Sequence, residues 1–333
     1  MSSKAQIPSR SGAARPRVLI VSPALASANN GNWQTASRWA HMLSNNCRTG
    51  IASAWNGQPC EALIALHARR SAGSIARFAQ AHPGRACIVV LTGTDLYRDI
   101  HADPAAQASL RLATHLVVLQ SEGMQELPEA VRNKAVVIYQ SARALKPVPV
   151  PAKSLKVISV GHLRDEKDPL TFMRAASRLA QRADIHFELI GDALEPALRR
   201  AAERTQRSCP QFHWLGALPH ATTRQHIKRS QLLVSTSRME GGAHVILEAA
   251  QSGCAVLASR ISGNVGMLGP GHAGYFDLGD DSALADLIQR SRDDAGFLHQ
   301  LRNQTAARAP LFQPAEEARR LNQLITTALE SCP

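Results

Sequence analysis

Apolar residues fall along this chain mostly in short unbroken runs. Runs at residues 17–22, 61–66, 87–91, 115–119 and 136–138 predict strands buried on both faces, as in a parallel sheet covered by helices. Residues 33–45 predict an amphipathic helix with Trp33, Ala36, Trp39, Ala40 and Leu43 on one face. The pattern then breaks at Pro147, Pro149 and Pro151, which disfavour helix and cannot serve a central strand. Beyond the break it restarts, with strands at 155–160, 186–190, 212–215, 232–234 and 255–258. Helices are expected at about 169–182, 245–252 and 314–329, the last with Ala318, Leu321, Leu324, Ile325 and Leu329 on one face. Two β-α series imply an α/β protein of two parallel-sheet domains, residues 17–145 and 154–310, joined by a linker at 146–153. Residues 1–16 read as a disordered extension, and residues 311–333 as a terminal helical segment.

Composition agrees with two cores. At 333 residues the chain exceeds the size at which one core stops growing, and 44% hydrophobic content suffices for two. The formal charge of +12 calls for an anionic partner. Basic residues are scattered and form no nucleic-acid-binding signature, which favours a small anionic substrate. The six cysteines have no metal-ligand spacing, so reduced thiols, no metal and a cytoplasmic location are expected. No apolar run reaches the length of a membrane span, and residues 1–16 lack the apolar core of a signal peptide.

Chemistry concentrates where strands end, because ligands of parallel sheets bind beyond the carboxyl ends of strands. The segment 238–248 (RMEGGAHVILE) follows a strand and opens a helix, and its Gly241-Gly242 pair allows close approach to a ligand. Glu240 and Glu248, about two helical turns apart, suit one extended polar ligand. The loop 161–168 (GHLRDEKD) offers Arg164 and Lys167, able to clasp a diphosphate from two sides. In the first half, polar groups follow strands at Asn30, Gly31 and Asn32, at His67, Arg69 and Arg70, and at Thr92, Thr94 and Asp95. Thr94 and Asp95 are also good helix caps, so cap and ligand roles both stand. Arg69 and Arg70 fall where a helix would begin, against the helix dipole, an odd choice without an anion to bind. The first strand-loop-helix lacks Gly-x-Gly-x-x-Gly, so no dinucleotide cofactor is expected.

The Glu240-x7-Glu248 pattern after a strand resembles that of nucleotide-sugar glycosyltransferases of the GT-B type, two Rossmann-like domains facing across a cleft. The resemblance implies that Glu240 faces the donor sugar and Glu248 holds the ribose hydroxyls. Arg164 and Lys167 would hold the diphosphate, Gly191 and Gly216 would lie where the base runs, and Gly241, Gly242 and Ala243 would complete the donor site. It also implies that a glycine-rich loop at 261–269 lines the donor pocket, and that the terminal helix braces the first domain. Four segments narrow the likeness: 30–38 (NGNWQTASR), 66–71 (LHARRS), 91–97 (LTGTDLY) and 238–244 (RMEGGAH). Together they resemble the selenosugar synthases of selenoneine biosynthesis, over about residues 17–310. That likeness implies a UDP-sugar donor, UDP-N-acetylglucosamine, and selenophosphate as nucleophile, giving a 1-selenosugar with release of UDP and phosphate. Asn30, Gly31, Asn32, His67, Arg69, Arg70, Thr92, Thr94 and Asp95 would then capture the nucleophile. Many enzymes of this fold place a histidine where this chain reads Thr92 to Asp95, a departure that weakens the case for an alcohol acceptor. An ordinary GT-B transferase with a hydroxyl acceptor, and a non-catalytic nucleotide-sugar or nucleic-acid binder, are the alternatives.

Overall fold

The computed structural model describes residues 15–24, 31–146, 148–149 and 153–331. Asn30, Cys332 and most of the 1–16 extension lie outside these residues, as do 147 and 150–152 of the proline segment.

Two six-stranded parallel sheets carry the chain. The first consists of β1 (Arg17–Val21), β2 (Arg48–Ala52), β3 (Ala62–Leu66), β4 (Ala86–Leu91), β5 (His115–Val118) and β6 (Ala135–Val137), in the order β2-β1-β3-β4-β5-β6. Its β3 and β4 are buried along their whole length, as their continuous apolar sequences require. Alternate residues feed opposite faces: Leu63 and Ala65 join one hydrophobic cluster, Ala62, Ile64 and Leu66 the other. The second sheet consists of β7 (Leu155–Val160), β8 (Ile185–Ile190), β9 (Phe212–Trp214), β10 (Leu232–Ser235), β11 (Ala255–Ser259) and β12 (Tyr275–Phe276), in the order β12-β11-β10-β7-β8-β9. This is the doubly wound Rossmann order, whose direction reverses between β7 and β10. The two Rossmann-like sheet domains expected of the chain are present.

The edge strand β2 escapes the apolar pattern because it reads Arg-Thr-Gly-Ile-Ala and is nowhere fully buried. A larger departure is the segment 261–269, expected as a glycine-rich loop, which is a helix, Ser262–Leu268. Its glycines serve packing. A Cβ at Gly263 would come within 2.1 Å of the Glu240 carbonyl oxygen, and one at Gly266 within 1.7 Å of Gln120 Oε1. Close tertiary contact here offsets the weak helix propensity of glycine.

Near the domain crossing, Tyr139 and Ala142 already belong to a core under the second sheet. The Leu145 N–H also donates to the Gln251 carbonyl oxygen at 2.8 Å, upstream of the prolines. At the other end of the chain, the helix Pro314–Ser331 puts Leu321, Leu324, Ile325 and Ala328 into the same cluster as Val18, Ile20 and Trp39. Glu317, only 1% exposed, fastens it there. Its carboxylate accepts from Arg38, from Trp39 Nε1 at 2.7 Å and from Ser141 Oγ at 2.5 Å. Among the described residues no helix is long and apolar enough to cross a membrane, and the five described cysteines are buried and unpaired.

Candidate functional site

The direction change between β7 and β10 brings together the segments that follow these two strands. The Arg238 N–H donates to the Glu166 carbonyl oxygen at 2.9 Å, and Thr236 Oγ1 donates to the Lys167 carbonyl oxygen at 2.8 Å. The turn they support contains Asp168, a buried non-glycine residue in the left-handed region (φ 43°), whose carboxylate accepts from Thr171 Oγ1. Such a conformation costs energy and persists only where the surroundings over-determine it. It delivers Lys167 to the strand ends, where Nζ lies 2.5 Å from Glu240 Oε1. Ser237 Oγ donates to the same oxygen at 2.6 Å. Arg164, in contrast, is half exposed, and its nearest carboxylate is Glu166 at 3.8 Å. One exposed cation and one cation already aimed at a buried carboxylate therefore stand on the same loop.

Glu248 is 3% exposed, and its Oε1 meets His220 Nε2 at 2.6 Å and His244 Nδ1 at 3.3 Å. Burial alone would raise its pKa, but the two imidazoles overcome that and hold it at about 2. The pairing reciprocally raises His220. Neither histidine carried a sequence signal for this role. His220 follows a proline in a polar stretch, 28 residues away, and His244 lies in the quoted motif without an assigned part.

The glycines also serve packing between the domains. The helix after β10 is His244–Ala250, with Ala243 at its N-cap, so Gly241 and Gly242 stand in the strand-to-helix turn just before it. A Cβ at Gly241 would fall 2.3 Å from the Thr92 carbonyl oxygen, and one at Gly242 would fall 2.8 Å from Leu119 Cβ. Their lack of side chains lets the first domain press on the turn that holds Glu240. Gly191 likewise allows backbone contact, since a Cβ there would overlap the Gly161 carbonyl oxygen at 1.9 Å. Around Gly216 there is open space.

In the first domain the expected groups that follow β3 and β4 come together and are largely engaged by hydrogen bonds within that cluster. Asp95 is fully buried: Oδ1 accepts the N–H groups of Thr92 and Gly93 and Oδ2 that of Ala68, each at 2.9 Å. With its carboxylate turned to these backbone groups, it shapes the loop. His67 is 2% exposed, and burial pushes its imidazole pKa down against the nearby carboxylates Asp95 and Asp99. It is therefore a neutral ring and not a capturing cation. Arg69 Nε donates to Asp99 Oδ2 at 2.8 Å, so its charge is already answered by a partner with no clear signal in the sequence. Arg69 and Arg70 precede the helix Ala72–Ala81 instead of forming its first turn. Arg70 is exposed, Thr92 and Thr94 are half-buried, and Gly31 and Asn32 begin the helix Gly31–Leu43, two residues earlier than expected. Among the described residues no three His, Cys, Asp or Glu side chains gather as a metal site.

Several solved structures share this architecture. Sucrose-phosphate synthase from Thermosynechococcus elongatus matches with a TM-score of 0.78 at 17% identity, covering 95% of this chain and 100% of that one. Anabaena HepE in complex with UDP-glucose matches with a TM-score of 0.72 at 15% identity, covering 94% and 100%. A glycosyltransferase from Rickettsia africae matches with a TM-score of 0.72 at 15% identity, covering 95% and 99%. The fold is GT-B. The family model described as glycosyl transferases group 1 matches residues 140–309, just over half of the chain and including Arg164, Lys167, Glu240 and Glu248. With that match added to the paired Lys167 and Glu240 at the strand-order reversal, the chain belongs to the group 1 glycosyl transferases.

Proposed function

We propose that this glycosyltransferase joins selenophosphate to the anomeric carbon of a UDP-sugar, with UDP-N-acetylglucosamine as donor, and forms a 1-selenosugar. The donor half rests on Arg164, Lys167, Glu240 and Glu248, with UDP-glucose bound to the similarly folded HepE as support for the nucleotide. On this reading Lys167 and Arg164 balance the charge that develops on the departing UDP. Glu240 orients the sugar hydroxyls and Glu248 the ribose. A carbon–selenium bond forms as the bond from C1 to the UDP oxygen breaks, and the electron pair leaves with UDP. Hydrolysis then breaks the selenium–phosphorus bond, the water oxygen going to phosphorus and a proton to selenium, so that phosphate and the selenol are released.

One observation carries the acceptor assignment. The first-domain loop that meets the Gly241-Gly242 turn has its carboxylate, Asp95, occupied by three backbone N–H groups. Its imidazole, His67, receives the Arg70 N–H on Nδ1 and lies 3.1 Å from Thr94 Oγ1 through Nε2. An alcohol acceptor gains from a side-chain base positioned to take its proton. Selenophosphate is already anionic and needs none, so the loop's engaged base-type groups suit it better than a hydroxyl.

The test is incubation of the protein with UDP-N-acetylglucosamine and other UDP-sugars, with and without selenophosphate, and product identification by mass spectrometry. The expected result is a selenium-bearing sugar together with stoichiometric UDP. Transfer only to hydroxyl acceptors, or nucleotide-sugar binding with no turnover, overturns the proposal.

A further inference from the structure

Building on that reading, we propose that Thr94 is the hydrogen-bond donor that orients the anionic nucleophile, and that His67 is its positioning residue, fixing the direction of the Thr94 hydroxyl proton. The argument begins with the imidazole tautomer. The backbone N–H of Arg70 points at His67 Nδ1 at 3.3 Å, so that nitrogen presents its lone pair. A neutral ring then carries its proton on Nε2, which faces Thr94 Oγ1 at 3.1 Å. Thr94 accepts that bond and keeps its own proton to give.

No other hydrogen bond of the Thr94 hydroxyl is found among the described residues, and the side chain is half-buried, within reach of a ligand. Its location is favourable. Thr94 follows Gly93, which lies against the Gly241 backbone, next to the residue that would face the donor sugar.

The surroundings hold His67 in this role. The charged groups around it are Asp95, 3.8 Å from Nδ1, Asp99, 3.9 Å from Nε2, and the guanidinium groups of Arg69 and Arg70. Asp95 is engaged by backbone N–H groups and Asp99 by Arg69 and Arg98, so neither competes at hydrogen-bonding distance for the ring proton. Burial keeps the ring neutral. The residue adopts φ 71°, unusual for a side chain of this size, with its N–H bonded to the Val90 carbonyl oxygen and its carbonyl oxygen accepting from the Ser71 N–H. A ring pinned in this way makes its proton direction a fixed property of the fold.

The experiment uses the full chain with UDP present and thiophosphate, the sulfur analogue of selenophosphate, titrated by calorimetry, alongside selenophosphate kinetics. Thr94→Val, close in shape and lacking the hydroxyl, should weaken thiophosphate binding and raise the selenophosphate KM at least tenfold, with UDP affinity unchanged. Thr94→Ser should recover most of both. His67→Leu should match Thr94→Val, and the double variant should be no worse than either single one, because the two residues act through one bond. His67→Gln, which can still present an N–H to Thr94, should fall between His67→Leu and the parent. If Thr94→Val binds and reacts like the parent protein, or if the effects of Thr94→Val and His67→Leu multiply, the pair has no such role. A parent protein that yields no selenosugar, yet binds thiophosphate with this Thr94 dependence, would overturn the proposed reaction while upholding the anion-orienting pair; absence of thiophosphate binding would overturn the pair.

Discussion

In the second domain, the loop after β7 holds Arg164 half exposed and 3.8 Å from its nearest carboxylate, while Lys167 reaches across to Glu240. In the first domain, the loop after β3 presents a similar complement of basic residues, yet Arg69 is bonded to Asp99 and His67 is buried and neutral. The two sides of the cleft thus treat charge differently. On the proposed reading a departing diphosphate needs cations that can follow developing charge, and the second domain has one near solvent and one on a single carboxylate partner. The first domain turns His67 and Asp95 inward to build the loop and ties the exposed Arg69 to Asp99, so that of the expected groups around this loop Arg70, Thr92 and Thr94 are the ones that are neither buried nor held in an ion pair. The abundance of basic residues in a loop is therefore a poor guide to where an anion sits, and the partners of each cation are a better one.

The contrast is broken most severely at Lys167. Lys167→Ala should lower turnover by an amount equivalent to about 2 to 4 kcal/mol, comparable to losing an oxyanion donor, and Arg164→Ala should fall in the same range. Steady-state kinetics at saturating selenophosphate measures both, and near-parental rates would deny the donor side its mobile cations. Next comes Asp95→Asn, which sharpens the distinction between loop building and binding. Replacing one acceptor oxygen with an amide leaves buried N–H groups unmatched and should cost about 1 to 3 kcal/mol of stability in denaturant unfolding, with UDP affinity preserved in the folded fraction.

A smaller effect should appear with pH at Glu248 and His220. The depressed carboxylate pKa stabilises the fold fully above its ordinary value of 4.5, and this is lost as pH falls toward about 2. The raised imidazole pKa stabilises fully below 6.5 and is lost as pH rises through the elevated value. The Tm difference between the parent and His220→Ala should therefore be greatest between these limits and shrink above neutrality. A difference that grows with pH would mean that the two groups are not coupled as described. Least affected should be Arg69→Gln, since its ion pair with Asp99 is exposed on the arginine side. Activity and Tm close to the parent are expected, and a large rise in selenophosphate KM would restore Arg69 as a binding group.

Much of the fold was legible because buried parallel strands write themselves as apolar runs, as in β3, β4 and β11. What lay hidden was whatever depends on a distant partner. The helix Ser262–Leu268 reads as a loop until Glu240 and Gln120 are seen against its glycines, and β2 reads as nothing until β1 lies beside it. The segments proposed for the donor stood out for a related reason, since Arg164, Lys167 and Glu240 follow strands in local motifs and Glu248 lies in the helix just beyond. The engagement of Asp95 by backbone, of Arg69 by Asp99 and of Glu248 by His220 has no local signature. Chemistry-bearing residue types show where a site is built; their hydrogen-bond partners show how much freedom each of them keeps.

The returning helix Pro314–Ser331 has a consequence for biosynthesis. The second sheet's cores draw on residues up to Leu301 on one side and Phe312 on the other, whereas a core of the first sheet, opened by Val18, is not complete without Ala328. Domains usually consolidate in the order in which the ribosome makes them. Here the order of completion is reversed: the half translated first waits for the half translated second, and Arg38 and Trp39 have no partner in Glu317 until almost the whole described chain has emerged. During that interval the nascent first domain exposes the apolar face that Leu321, Leu324 and Ile325 will cover, the period in which a chaperone or a neighbouring nascent chain has access to it.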